Sequence, residues 1–402
     1  MKVQSVQLRN FRNVRQSILE PHPGLNFLVG RNAQGKTSFV EAIHFLSSLR
    51  SFRNAKPQEV IRWGEDQAEI RCRIHQPAES GAGWDTDLEL KLTTDRVTGR
   101  GTKLAAINGK TYRSSVEYLE QKLRAPGAGF HTIVFNPSDH ELVRGEPRLR
   151  REYLDRVVCA ESVELLQALK RYHRVLEQRN RLLKEPRWVE PGLLEEFSQP
   201  LLDLGAQLVH GRLKWLERLQ PRAASILERI APKQASLGLF YSSDWLRISG
   251  QNSSGSEALT GGYFPGHAPL PSLELVRSQL ADEAARRRPA ELQAGTTLVG
   301  PHRDDWGFSL EDRTLKGHGS QGEVRSTLVA LKMAEVELFR EATGLQPLFL
   351  LDDFSSELDG DRREFLLGFL RETDLQVFVT TTEESRVDGK RFRVEEGLLS
   401  EA

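Results

Sequence analysis

Apolar and polar positions recur along this chain with periods that change several times. Residues 3–8 alternate polar and apolar, and residues 25–29 form a short continuous apolar run; both patterns predict strands. Between residues 38 and 49, Phe39, Ala42, Ile43, Phe45, Leu46 and Leu49 fall at helical intervals, so a helix is expected there. Residues 68–75, 85–92 and 105–107 read as further strands, Asn108-Gly109 as a type I′ turn, 114–123 as a short helix and 131–135 as a strand.

After Pro147 the pattern changes. Residues 148–181 predict one long helix with an apolar stripe through Leu154, Val157, Val158, Val163, Leu166, Leu169, Tyr172 and Leu176. Residues 202–219 predict a second helix and 223–230 a third, in a region broken by proline and almost without strand character. Residues 237–248 are strand-like, 251–271 are rich in Gly, Ser and Pro and predict an exposed loop, and 273–290 are helical. Strands are expected at 296–300 and 306–310, flanking the polar block 302–305. Helix 322–342, strand 345–351, helix 361–371 and strand 375–380 follow. The reading is an α/β protein whose sheet is built from residues 1–147 and 296–402, with a mainly helical lobe inserted at 148–295.

Three short segments carry chemistry. Gly30-Arg31-Asn32-Ala33-Gln34-Gly35-Lys36-Thr37 follows an apolar strand and opens an amphipathic helix. Backbone N–H groups and a helix N-terminus there can cradle phosphate oxygens, with Lys36 reaching the β- and γ-phosphates and the Thr37 hydroxyl ligating Mg²⁺. The apolar run ending at Leu351 leads into Asp352-Asp353. Carboxylates at the C-terminal end of a central strand sit where α/β sheets bind ligands. Asp352 is expected to hold Mg²⁺, directly or through water, and Asp353 to orient or deprotonate an attacking water. The third segment, residues 319–326, puts a glycine, a hydroxyl and an amide at a helix start, a second anion-binding geometry. Lys36 and Asp352 lie near opposite ends of the 402-residue chain, so the site is split in sequence.

Composition narrows the class. Hydrophobic residues make up 38% and charged ones 28%, and no apolar run approaches the length of a membrane span, which points to a protein of the cytosol. The two cysteines, Cys72 and Cys159, suggest neither a disulfide framework nor a zinc site. Net charge is zero but uneven: residues 1–56 hold nine Lys/Arg against two acids, and residues 352–402 seven against fourteen. A basic face can therefore meet phosphate. The candidates for DNA are Arg9, Arg12 and Arg15, Arg50, Arg53 and Lys56, Arg148, Arg150 and Arg151, and Arg286, Arg287 and Arg288, as sequence-independent contacts. The six tryptophans are read as packing residues. Arg12 is also placed to touch a nucleotide base, and the 302–305 block reads as a lobe contact, a DNA contact or a polar turn.

The phosphate loop, the Ser-x-Gly-x-x-Arg segment, the strand ending in two acids and the Ser-Glu-Leu-Asp after it together resemble the ABC-type ATPase head of SMC-like proteins. Their order and the chain length resemble the RecF family of bacterial DNA replication and repair proteins. Leu8–Asn13, Asn136-Pro137-Ser138-Asp139, Arg150-Arg151 with Leu154-Asp155, Gly300–Asp305 and Val379–Thr382 extend the match over most of the chain. The resemblance implies a P-loop NTPase fold with an N-terminal β-subdomain. It also implies ATP and Mg²⁺ as ligands, with weak DNA-stimulated hydrolysis. An ATP-dependent homodimer on double-stranded or gapped DNA is implied, within the nucleoid. So is a role in loading or stabilising recombinase at gapped or stalled-fork DNA, with RecR and RecO as partners.

Carried onto this sequence, Arg12, Asn13, Gly30–Gly35, Lys36, Thr37 and Ser38 hold ATP. Lys36, Asp352 and Asp353 are catalytic, and Thr37 and Asp352 hold the metal. Ser320, Gln321, Gly322 and Glu323 meet the γ-phosphate of ATP on the opposite subunit. Ser356, Glu357, Leu358 and Asp359 form the loop crossing that interface. Asn136 and Asp139 couple a lobe to the metal site, and Thr380 and Thr381 stand at the switch position usually held by histidine. Two departures from the general ABC pattern stand out: Asp353 where glutamate is usual, and Ser-Gln-Gly-Glu where Ser-Gly-Gly-Gln is commoner. Competing readings are a transport ATPase, which needs a membrane partner, a small-molecule kinase, which leaves 319–326 unexplained, an SMC-like protein with long arms, and an ATPase subunit of another complex.

Overall fold

The computed structural model describes residues 1–77, 83–95, 98–124, 127–184, 192–232, 234, 236–248, 262–311, 313–353, 360–382 and 388–401. The chain divides into two compact units, residues 1–139 with 335–402, and residues 140–334. The first unit begins with β1 (Lys2–Phe11), β2 (Val14–Leu19), β3 (Leu25–Val29), α1 (Lys36–Ser48), β4 (Gln67–Gln76), β5 (Trp84–Thr94), β6 (Gly101–Ile107), β7 (Lys110–Tyr112), α2 (Ser115–Arg124) and β8 (Thr132–Phe135). The second holds α3 (His140–Arg144), α4 (Pro147–Glu161), α5 (Val163–Lys184), α6 (Leu193–Ile230), β9 (Leu237–Ser242), β10 (Gly262–Tyr263), α7 (Leu273–Ala294), β11 (Asp305–Leu310), β12 (Arg313–Thr314) and α8 (Leu315–His318). The unit boundary falls inside α9 (Gln321–Thr343), and β13 (Leu348–Leu351), α10 (Gly360–Glu372), β14 (Gln376–Thr381), β15 (Lys390–Glu395) and β16 (Leu398–Glu401) complete the first unit.

Two six-stranded sheets build the first unit, an antiparallel one ordered β2-β1-β4-β5-β6-β7 and a mostly parallel one ordered β16-β15-β3-β14-β13-β8. Every residue of β8, β13 and β14 is buried, as expected for parallel strands covered on both faces. Helix α1 is buried almost all round because its residues join one core with both sheets: Phe39, Ile43 and Leu46 share a cluster with Leu8, Ile70 and Leu90 and with Leu348, Leu350 and Phe378. Parallel register brings three strand ends to one edge, with Leu351 opposite Val379 and Thr381 opposite Val29. The loop after β3, the carboxylates after β13 and the threonines ending β14 therefore meet there.

In the second unit Leu201, Leu204 and Leu208 of α6 pack on Ala168 and Tyr172 of α5. Several expected boundaries change. The 148–181 helix is two helices, α4 and α5, broken at the extended Ser162. The expected second and third helices are one, α6, which runs through Pro200 and Pro221. A proline inside a helix costs about 3 kcal/mol, and the long buried face of α6 offsets it. The unit also holds a four-stranded sheet ordered β10-β9-β11-β12, so strand content is not absent. Pairing of β11 with β9 folds the segment after 295 with the helices, which widens the compact unit beyond the expected 148–295. Residues 296–300 form no strand. There Thr297 bonds Arg179 and Asn180, and the Leu298 N–H donates to Glu291. No helix among the described residues is long and apolar enough to cross a membrane.

The 302–305 block is internal to this unit. Asp304 accepts from Tyr241 Oη at 2.8 Å and Trp245 Nε1 at 3.0 Å, and buried Arg212 bonds Asp155, Tyr241 and the Pro301 carbonyl. His302 Nδ1 lies 2.6 Å from Tyr172 Oη. Burial pushes the Asp304 carboxyl up from 3.8 to about 6, against the pull of Tyr241 and Arg212. Burial likewise holds His302 down, from 6.5 to about 4.

These shifts give opposite pH slopes. The raised Asp304 contributes stability that is full below pH 3.8 and lost as pH rises through 6; the depressed His302 contributes stability present above pH 6.5 and lost as pH falls through 4. Relative to the unmodified protein, Asp304→Asn should lose stability as pH falls from 6 to 4 and His302→Gln should gain it, each by at most about 1.4 kcal/mol per pH unit. Urea midpoints at pH 4.5 and 6.5 check the signs. A second expectation concerns Arg179 and Glu291, a pair at 2.6 Å with both side chains buried. Arg179→Met leaves a buried carboxylate and should cost about 3–5 kcal/mol in denaturant unfolding, most of which Arg179→Met with Glu291→Met restores.

Candidate nucleotide site

The turn between β3 and α1 has the geometry of a phosphate cradle. Gly35 caps α1 at φ 108°, a left-handed conformation that favours glycine, and a Cβ there would lie 2.8 Å from the Asn13 amide. A Cβ on Gly30 would strike the Val394 carbonyl. Lys36 Nζ donates to the carbonyls of Gly30 at 2.7 Å and Arg31 at 2.8 Å, folding the ammonium back over the loop. Burial lowers the Lys36 pKa, while Asp353 and then Asp352 pull it back up. Arg31, Asn32 and Ala33 are exposed. The back of the loop is held by two turns. Asn13 Oδ1 accepts from Ser38 Oγ at 3.0 Å, and Gln34 accepts from the N–H groups of Glu396 and Gly397 through its side chain and carbonyl. Glu396 and Gly397 form the two-residue β15–β16 turn, both at positive φ as a type I′ turn requires.

Asp352 stands at the end of β13. Its Oδ1 accepts from Thr37 Oγ1 and from Thr380 Oγ1, each at 2.8 Å. Thr380 Oγ1 in turn accepts from the Asp353 N–H at 2.8 Å. One hydroxyl thus ties the orientation of one carboxylate to the backbone of the next. Asp353 itself sits at φ 55°, strained for a non-glycine residue. Burial raises the Asp352 pKa; hydrogen bonds from Thr380 and Thr37 lower it, Asp353 raises it, and Arg53 lowers it. Thr37 and Asp352 offer hard oxygen donors, the type Mg²⁺ takes together with phosphate oxygens and water.

Arg12 is used differently from a free base contact. Its guanidinium grips the fully buried Glu41 of α1 at 3.0 and 2.7 Å and the Glu59 carbonyl at 3.0 Å, and Ser51 Oγ also donates to Glu41. Glu41 is not among the residues the sequence points to. A carboxylate within the apolar run Phe39-Val40-Glu41-Ala42-Ile43 is its signal. Thr381 carries the register, its carbonyl accepting from the Gly30 N–H at 3.3 Å. Asn136 and Asp139 close a local turn, Asn136 N–H donating to Asp139 Oδ2 at 2.9 Å.

Ser320 to Glu323 form a capping box. Glu323 N–H donates to Ser320 Oγ at 3.2 Å, and Ser320 N–H donates to Glu323 Oε2 at 2.7 Å. That bond from Ser320, followed by Arg313 at 2.7 Å, lowers the Glu323 pKa. The acidic residue in the unusual Ser-Gln-Gly-Glu is thus engaged as a helix cap. Ser356, Glu357, Leu358 and Asp359 lie outside the described residues.

The DNA candidates separate. Arg150 is buried on Asp305 and the Gly145 carbonyl, which removes it as a DNA contact, and half-buried Arg151 donates to the Asp304 carbonyl. Arg286 and Arg287 both pair with Glu283, Arg288 with Glu195 and Arg148 with Glu152. Arg50, Arg53 and Lys56 are exposed after α1. Trp215, Trp245 and Trp306 are buried as expected, but Trp63 is 98% exposed and Trp84 half-exposed, which corrects the packing reading for these two; Trp188 lies outside the described residues.

The family model for the RecF/RecN/SMC N terminal domain matches residues 2–391. The DNA replication and repair protein RecF of Symbiobacterium thermophilum is 34% identical over 99% of this chain and 98% of its own length. That of Geotalea daltonii is 33% identical over 99% of this chain and 100% of its own. A solved structure of the recombination mediator protein RecF-ATP in the RecFOR pathway superposes with a TM-score of 0.82 at 28% identity, covering 100% of this chain and 97% of that one. An SmcHead bound to the C-winged helix domain of ScpA, at 13% identity and a TM-score of 0.53 over 100% of this chain and 98% of that one, shares the fold. This chain belongs to the RecF family of DNA replication and repair proteins, SMC-like ATPases built on the ABC-type head.

Proposed function

We infer that this chain binds ATP with Mg²⁺ at the Gly30–Ser38 loop, hydrolyses it slowly, dimerises while ATP is bound, and in that state binds DNA. The observation that carries the reading is Asp352 bonded to both Thr37 and Thr380, which joins the phosphate loop to the carboxylate pair across the sheet. Bound Mg²⁺ supplies charge neutralisation on the phosphates. Lys36 swings from its two carbonyl partners to the β- and γ-phosphate oxygens, and the N–H groups opening α1 receive the rest. Asp353, held by Thr380, orients the water, and its short side chain keeps turnover low.

In this reading Ser320 of a second copy meets the γ-phosphate. Its Oγ accepts from the Glu323 N–H while its hydroxyl hydrogen-bonds the Glu323 carboxylate, so that proton turns from Glu323 to a phosphate oxygen. Asn136, Asp139 and Thr381 respond to the nucleotide state. Recombinase loading or stabilisation at gapped or stalled-fork DNA, with RecR and RecO as partners in the nucleoid, is supported by the similarity to a recombination mediator of the RecFOR pathway.

Sedimentation with ATP and Mg²⁺ tests the core of this. The unmodified chain should become a dimer, Lys36→Met should fail to bind nucleotide, and Ser320→Arg should bind ATP yet stay monomeric; a dimer of Ser320→Arg equal to the unmodified one sinks the opposed arrangement. Thr380→Val should lower kcat about 10–100-fold with ATP affinity little changed, as for other residues that orient a ligand-holding carboxylate. Thr380→Ser, which keeps the hydroxyl, should restore most of the rate.

A further inference from the structure

The arginines that looked most like a DNA surface on the second unit are compensated. Those on α7 are each paired: Arg277 with Asp203 at 2.7 Å, Arg286 and Arg287 with Glu283 at 2.7 and 2.8 Å, and Arg288 with Glu195 at 3.2 Å. Helix α5 is the opposite case. Leu166, Ala168, Tyr172 and Leu183 are buried on it. Lys170, Arg171 and Arg174 are exposed, and among the described residues none of the three has a salt bridge or hydrogen bond through its side chain. At about 100° per residue, Lys170, Arg174 and Arg181 fall within about 40° of one another on the side away from Tyr172, with Arg171 on the flank. Lys170 and Arg174 are about 6 Å apart along the helix, close to two phosphate-to-phosphate axial steps of roughly 3.4 Å on one strand. Arg181 continues the row one further turn-pair along, paired with Glu177.

A polar outer face is what any surface helix needs, so exposure alone means little. The pairing is what distinguishes this one. The arginines of α7 are each bonded to an acid, whereas α5 presents three cations in five residues with no anion bonded to them, the acid that shares their stripe, Glu177, being paired with Arg181. Cations held apart from anions keep their full charge for an incoming polyanion, whereas a paired arginine must first give up its partner.

We propose that the outward face of α5, centred on Lys170, Arg171 and Arg174, docks the phosphate backbone of duplex DNA. This rests on the reading that the chain binds DNA. The contact is sequence-independent, because it needs only positive charge on a rigid helix and reaches no base edge.

The experiment is a duplex-DNA titration of the full chain with ATP across a salt series. The variants are Lys170→Gln/Arg171→Gln/Arg174→Gln and, as control, Arg286→Gln/Arg287→Gln/Arg288→Gln. Removing three phosphate contacts from each protomer should reduce the slope of log affinity against log salt by about 2.7 per protomer seated on the duplex, with ATP binding and melting temperature unchanged. The control should lower the slope by less. An α5 variant with the unmodified slope overturns the surface and leaves that face to an acidic protein or to solvent. Equal losses in both variants also overturn it, since net charge rather than this face is then responsible. If the unmodified chain binds no DNA at any salt, the underlying DNA-binding reading falls as well, which is a distinct result.

Discussion

The register of one parallel sheet decides where everything else in the first unit can act. Strands β3, β13 and β14 come from both ends of the chain, and their alignment puts Thr37, Asp352 and Thr380 within hydrogen-bonding distance. Slipping β13 by one residue would turn Asp352 to the other face, because side chains alternate along a strand. The buried, continuously apolar strands resist such a slip only through packing, so the shared core of α1 with both sheets is what fixes the site. The hydroxyl-to-carboxylate bonds then set orientation within a frame that packing has already chosen.

The phosphate loop was legible in the sequence because its glycine spacing answers a local backbone demand, and Gly35 at φ 108° meets it. The strand ending in Asp352 was legible for a similar reason: an unbroken apolar run followed by acids has few other uses. What could not be read was tertiary. Glu41 looks like any helical glutamate until Arg12 arrives from the β1–β2 turn and Ser51 from the loop after α1. The turn at Glu396-Gly397 matters only because the sheet carries it against Gln34. Prolines in α6 were read as breaks, since local sequence reports the lost N–H but not the packing that offsets it.

The polar block at 302–305 shows the same limit from the other side. Charged residues in a short run read as a lobe contact, a DNA contact or a polar turn, yet Asp304 and Arg212 are buried with Tyr241, Trp245, Asp155 and the Pro301 carbonyl as partners. A buried ionic group is tolerable when each polar atom finds a partner, and this network comes from α4, α6, β9 and the segment before β11. Removing one member strands the others, so such a network specifies one arrangement of these elements more than it adds to their stability.

Charge on the second unit has to be judged by its partners. Arg150 and the α7 arginines are as basic in sequence as Lys170, Arg171 and Arg174, but ion pairs or burial have already satisfied the former. An overall charge of zero therefore says nothing about whether a face attracts phosphate. Local asymmetry is what can orient a neutral protein on a polyanion: zero net charge removes only the monopole, an uneven distribution keeps its dipole, and in physiological salt exposed charges act over a Debye length of about 8 Å.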